Sequence, residues 1–301
     1  MSMMTNNYLV FTYKTKAFSL VRKDKTLTDK LNSEGETRRE VHKADTDLTA
    51  GDEAMKAPAK ARQNIVNYIN DNTIAFGNNG KLVSTNKAFF GNFKQGLDDL
   101  IKKFYDSIPS EDEYINAQAY AKKNSKFFDP TMYPSYNHVV ASYHVEYDFI
   151  PISTKIDAEF FDLEKEYIDY IKDQAEKSLD KKLKDCESQI RDKLATVMKD
   201  VLDVVEDVIK TDADGQKQVK AKGFKRTKVE GIVRLPNILR SLNITNDKGI
   251  ADTIDNFDKA IAPFRTGLEN NKGFCKNIKD NPQTRATIRN DVKKVLDKFQ
   301  F

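Results

Sequence analysis

From Ile152 to Asp214 the chain contains neither glycine nor proline, and its apolar residues recur at steps of three and four. Phe160, Leu163, Tyr167, Ile171, Ala175, Leu179, Leu183, Cys186, Ile190, Leu194, Val197, Val201, Val204 and Val208 lie on one stripe. Only a long helix buries such a pattern on one side. With Pro151 before it and Thr154 and Asp157 at capping-box spacing, an unbroken helix of about 55 residues would span roughly 80 Å. That exceeds the width of a domain of this size, so the helix must project, kink or pack against a partner helix. The stripe steps by four too often for a strict heptad, which predicts a nearly straight rather than strongly supercoiled packing.

The remaining chain is sparser. Tyr8 to Val21 alternates as a strand. From residue 22 to 56 the apolar residues thin to Leu27, Leu31, Val41, Leu48 and Met55, which predicts a mobile excursion or a poorly packed helix. A helix is expected from about Ala57, with Pro58 in its first turn, ending at Gly77-Asn78-Asn79-Gly80. Phe89, Phe93, Leu97, Leu100, Ile101, Phe104 and Ile108 mark a second helix, capped by Thr85 or Asn86 and closed by Pro109. Ser110 and Glu113 stand at capping-box spacing for a third. Asn137 to Ile150 reads as a half-buried strand with Val139, Ala141, Tyr143, Val145, Tyr147 and Phe149 on one side, pairing with the N-terminal strand. Beyond the turn Asp212-Ala213-Asp214-Gly215, residues 217 to 233 read as a short hairpin or irregular arm. Asn246 or Asp247 then caps a helix carrying Ile250, Ile254, Phe257 and Ile261, and Pro282 opens another carrying Ile288, Val292, Val295 and Phe299.

The expected fold is α+β and predominantly helical, with a small antiparallel sheet and one very long charged amphipathic helix. Its parts are a mixed strand and helix region over 1–150, the long helix over 151–214, and a basic arm with C-terminal helices over 215–301.

Composition narrows function by exclusion. Lys and Arg total 50 against 46 Asp and Glu, so the whole-chain field is weak and nucleic-acid attraction needs local clustering. One cluster qualifies: Lys217, Lys220, Lys222, Lys225, Arg226 and Lys228, with Phe224 among them and no acid between. Mobile cations there could contact phosphates; a solvated loop is the blander reading. His138 and His144 would lie roughly 20 Å apart on a regular strand and cannot share an ion. Asp212-Ala213-Asp214-Gly215 lacks the later carboxylate of a calcium loop, since position 221 is alanine. No metal site is expected.

Pairs such as Asp180 with Lys184 and Glu187 with Arg191 have the spacing of exposed helix ion pairs. The two cysteines, Cys186 and Cys275, read as buried thiols rather than a disulfide framework. There is no GxxxxGK, dinucleotide fingerprint, HExxH, CxxC or GxSxG, so no cofactor and no catalytic residue is assigned. No run is long and apolar enough for a membrane span, and MSMMTNNYLVF lacks the parts of a signal peptide, so the expected address is cytoplasmic.

The order of strand, helices, FFDPTMYPSYNHVVASYHVEYDFIPIS and long charged helix resembles an uncharacterised family of phage and bacterial proteins, typically encoded beside MoxR-type AAA+ ATPases. The resemblance rests on the Tyr133-Pro134 turn, the aromatic segment from His138 to Phe149 and the charge-rich helix that follows. It implies an AAA+ ATPase as partner and, for a phage-encoded chain, the host cytoplasm as address. It brings no catalytic residues.

The expectation is therefore a non-enzymatic assembly protein acting on a protein partner or as a homo-oligomer. Its interface would be formed by Leu183, Ile190, Leu194, Val197, Val201, Val204 and Val208. Burial of that stripe against 250–261 and 288–299 is the competing reading. A nucleic-acid-binding accessory protein using 217–228 and a virion structural component are the alternatives.

Overall fold

A computed structural model describes residues 7–19, 21–23, 25–34, 45–47, 52–124, 128–152, 164–211, 217–221, 225–269, 278 and 281–299. Its elements begin with β1 (Tyr8–Lys16), β2 (Val21–Lys23), α1 (Lys25–Glu34), β3 (Asp45–Asp47) and α2 (Glu53–Asn72). There follow β4 (Ile74–Phe76), β5 (Gly80–Ser84), α3 (Lys87–Asp106), α4 (Glu111–Asn124), α5 (Tyr136–Ala141) and β6 (His144–Pro151). The long α6 (Lys165–Val204) leads to β7 (Asp207–Thr211), β8 (Lys217–Ala221), α7 (Arg226–Leu242), α8 (Lys248–Ala260), α9 (Ala262–Glu269) and α10 (Pro282–Lys298). The fold is α+β and predominantly helical, with a small antiparallel sheet in the order β4-β5-β1-β6. The chain forms two compact units. One comprises Met1–Phe11, Asn72–Phe90 and Phe149–Phe301; the other comprises Thr12–Asp71 and Gly91–Asp148.

In the first unit, Tyr8 to Phe11 pair with Ser84 to Lys81, and Ile74 to Phe76 pair with Leu82 to Gly80. The tight β4–β5 turn requires a positive φ, and Gly77 supplies it at 66° without steric cost. α6 packs against β4, α7, α8 and α10. Its second half supplies Cys186, Ile190, Leu194, Met198, Val201 and Val204 to a core shared with Val229, Leu239, Ile254, Phe257, Ile288 and Val292. Polar anchors fix the register of α6 on β4. The Gln189 side chain accepts from the Ala75 N–H at 3.0 Å and donates to the Ala75 carbonyl at 3.1 Å. Lys193 donates to the Thr73 carbonyl at 2.9 Å.

The C-terminal helices start where local chemistry dictates. Asp247 accepts from the Ile250 N–H at 2.7 Å to cap α8, and Asn281 accepts from Thr284 at 3.1 Å to cap α10, whose first residue is Pro282. α7 carries Val229, Ile232, Pro236, Leu239 and Leu242 on its buried face. The sequence reading missed this helix, because Gly231 and Pro236 break the usual helical composition.

The second unit departs from the sequence reading at the start of α2 and over 137–150. Segment 22–56 contains β2, α1 and β3, with Val21 to Lys23 pairing with Asp47 to Asp45. Val41 and Leu48 lie outside the described residues. α2 begins at Glu53, ahead of the expected start at Ala57, because Asp52 accepts from the Ala54 and Met55 N–H groups at 2.7 and 3.3 Å. Met55 and Pro58 are buried with Ile65 and Ile69. Ser110 and Glu113 form the expected reciprocal cap, at 2.7 Å from the Ser110 N–H to Glu113 and 3.3 Å back.

The strand expected over 137–150 is in fact α5 followed by β6. Val139 and Tyr143 are both buried, and their spacing of four suits a helical turn as well as it suits alternation. Tyr136 secures the turn by donating to the Pro109 carbonyl at 3.0 Å, and Tyr114 by donating to Pro134 at 2.7 Å. Only from His144 to Ile150 does the strand exist, with Val145, Tyr147 and Phe149 on its less exposed side.

Candidate protein-interaction surface

The stripe residues fall into two groups that α6 separates along its length. Ile190, Leu194, Val201 and Val204 are each at most 1% exposed, while Leu183 and Val197 pack partly buried against the same core. These residues hold α6 to its own domain, and none of the four buried ones is available to a partner in this fold. Val208 is a correction: it lies in β7, opposite Lys220, not on the helix. The helix stops at Val204 because the branched run Val204-Val205 and Val208-Ile209 favours extended chain and finds a pairing strand in β8. Side chains of α10 hold the junction. Arg289 donates to the Val205 carbonyl at 2.6 Å, and both Arg285 and Arg289 bind Asp207, at 2.7 and 3.2 Å.

The first half of α6 has a different environment. Tyr167 and Tyr170 are 59% and 63% exposed, Ala175 is exposed, and Ile168, Ile171 and Leu179 are half-buried. Phe160 and Leu163, which would extend the stripe upstream, lie outside the described residues, as do Thr154 and Asp157. The helix begins at Lys165, after Glu164, whose side chain makes no capping bond. Five turns of helix from Lys165 to Lys182 thus carry an apolar stripe that the described part of the fold does not bury as it buries the second half. Around that stripe the charges are ordered. Glu166, Asp169, Asp173 and Glu176 outnumber Lys165 and Lys172 in the first turns, whereas Lys177, Lys181, Lys182 and Lys184 outnumber Asp180 in the next. One of them, Lys177, already bonds Asp173 at 2.7 Å along the helix, an exposed pair of small energetic weight.

The basic cluster does not form a single arm of free cations. Lys217 and Lys220 lie in β8, opposite Thr211 and Val208, and Lys222 lies outside the described residues. Lys225 is the residue preceding α7, while Arg226 and Lys228 belong to its first turn. Arg226 pairs with Glu230 at 2.9 Å, and Lys228 pairs with Asp200 and Asp203 of α6 at 3.0 and 3.6 Å. Lys228 therefore helps dock α7 onto α6.

Other chemistry-bearing residues have ordinary partners. His138 sits exposed on α5, and His144 meets Glu146 at 2.8 Å on β6. Among the described residues no cluster of His, Cys, Asp and Glu is arranged to hold a metal ion. Asp212 to Gly215 lie outside them, as does Cys275. Cys186 is buried with its Sγ 3.5 Å from the Ala75 carbonyl, and burial pushes its thiol up to about 12, so it is an inert core residue. Leu202, Asp203, Glu206, Asp207, Arg289 and Lys293 line an open groove of about 520 Å³. Asp207 and Arg289 there bond each other, and Asp203 faces Lys228. No helix among the described residues is long and apolar enough to cross a membrane. No family model, curated protein or solved structure matches the chain.

Proposed function

We propose that this is a non-enzymatic interaction protein, in which the second half of α6 is a structural spine and the first half, Lys165 to Lys182, is the element that engages another protein. One observation carries the reading. A single helix buries Ile190, Leu194, Val201 and Val204 almost completely, yet leaves Tyr167 and Tyr170 more than half exposed. Large exposed aromatic side chains beside half-buried aliphatic ones are the usual composition of a recognition surface. The ion pairs of Arg226 and Lys228 make the nucleic-acid alternative the weaker one. The resemblance of residues 133–149 makes an AAA+ ATPase the heterologous partner to test.

Photoreactive residues placed singly at positions 171, 175 and 196 of the full chain test the proposal in cells. Adducts at 171 and 175 with none at exposed Thr196, on the spine, are the expected result. Equal labelling at all three positions, or none at any, would overturn it.

A further inference from the structure

We propose that Asn79 is a site of spontaneous deamidation, which converts the β4–β5 turn to an aspartate or isoaspartate form carrying an added negative charge. The inference does not depend on the reading of α6 as an interaction element.

The chemistry is local. Asn79-Gly80 is the sole Asn-Gly step in the chain. The Gly80 backbone nitrogen, once deprotonated, attacks Asn79 Cγ. A bond forms between that nitrogen and Cγ, the side-chain amide leaves as ammonia, and a cyclic succinimide remains. Water then opens the ring. Opening at Cγ gives aspartate, and opening at the backbone carbonyl of residue 79 gives isoaspartate. Each conversion consumes a water and releases an ammonia, with no oxidant or cofactor. A side chain on the residue after the asparagine crowds the attacking nitrogen, and Gly80 has none.

The fold supplies the rest. A Cβ at position 80 would lie 2.9 Å from both the Phe76 carbonyl oxygen and Val10 Cγ1, so packing itself demands the glycine that makes Asn79 labile. Asn79 is exposed in the turn over 77–79, and its side chain bonds no described residue. Gly80 pairs with Phe76 at the last position of the β4–β5 register. Only the end of the ladder must therefore open for the Gly80 nitrogen to turn onto Asn79, and such ends open most readily. The two asparagines that precede serine are held differently. Asn32 in α1 donates to the Thr28 carbonyl at 2.9 Å, and Asn124 in α4 donates to the Tyr120 carbonyl at 2.8 Å. A helical backbone also aims the following N–H along the helix axis, away from the asparagine side chain.

Conversion alters the hairpin on which α6 sits. Lys182 lies 5.3 Å from the centre of the Phe76 ring, and its Cε is 3.4 Å from where a Cβ on Gly77 would be. A carboxylate at position 79 brings a counter-charge to this turn, where Lys182 pairs with no carboxylate among the described residues. Isoaspartate in addition inserts a methylene into the main chain between 79 and 80, which moves the Phe76–Gly80 pair out of register.

The full chain, incubated folded at neutral and at mildly alkaline pH and then digested for fragmentation mass spectrometry, tests the proposal. Conversion at Asn79 is expected to run at least about tenfold faster than at neighbouring Asn78, because only Asn79 precedes a residue without a Cβ. The rate should rise with pH, since the attacking nitrogen must lose its proton. Asn79→Gln is expected to lose the acidic species that isoelectric focusing resolves in the aged wild type, with an unchanged circular dichroism spectrum showing that both chains are folded. Equal conversion at Asn78 and Asn79, persistence of the acidic species in Asn79→Gln, or conversion of Asn79 only in urea would overturn the proposal.

Discussion

Arg285 is completely buried, and the geometry around it shows how a full positive charge is accommodated in an apolar core. Its guanidinium donates to the Asp207 carboxylate at 2.7 Å and to the Ile278 carbonyl at 2.9 Å. Asp207 is subject to two opposing influences: burial raises its pKa, and the hydrogen bonds from Arg285 and Arg289 outweigh that and hold the carboxyl below its usual range. A folded-state pKa below the unfolded one contributes stability that is present above the unfolded value near 4 and lost as pH falls through the folded value. Asp207→Asn leaves the buried cation without its counter-charge and is expected to cost about 3 kcal/mol at neutral pH. Urea melts of the variant should also show a shallower loss of stability below pH 4 than the wild type. An unchanged midpoint at neutral pH would show that Arg285 does not depend on this carboxylate.

Tyr143 makes the opposite case, because its hydroxyl is buried with no hydrogen-bond partner among the described residues, and burial pushes its pKa up to about 12. Tyr143→Phe removes a polar atom that bonds no protein group. The variant is expected to match or exceed wild-type stability within about 0.5 kcal/mol, and thermal unfolding that shows a loss above about 1 kcal/mol would contradict this.

At the scale of elements, α6 joins two environments in one helix. Leu194 is fully buried in the α7, α8 and α10 core, so Leu194→Ala is expected to lower unfolding free energy by about 3 kcal/mol. Ile171→Ser, on the half-buried first half, should change the stability of the separated chain by less than about 1 kcal/mol while weakening association. Chemical denaturation at low concentration, paired with association measurements, resolves the two effects.

How legible each element was in the sequence follows from how local its cause is. The caps at Ser110 and Asp247 were readable because a few neighbouring residues make them, whereas the Asn281 cap of α10, an equally local signal, was not read. The start of α2 was missed, although Asp52 is as local a signal, because the sparse residues before it suggested no buried face. The α5–β6 boundary was hidden because Val139 and Tyr143 satisfy both periodicities, and only the long-range bonds of Tyr136 and Tyr114 decide between them. Val208 was assigned to the helix for a similar reason. Its spacing continues the stripe, while its pairing strand β8 and the arginines that hold the junction, Arg285 and Arg289, come from later in the chain. The division of the stripe into a buried spine and an exposed first half was not readable at all, since it depends on which turns α7, α8 and α10 reach.

For the whole molecule, the weak net charge of +4 conceals an ordered dipole of side chains along α6, acidic turns first and lysine-rich turns next. The measurement that addresses the central claim most directly is photo-crosslinking in cells from single positions 171, 175 and 196 of the full chain, because the first two lie on the less buried first half of α6 and exposed Thr196 lies on the buried second half. The account predicts adducts at 171 and 175 and none at 196. Equal labelling at all three positions, or none at any, would contradict it.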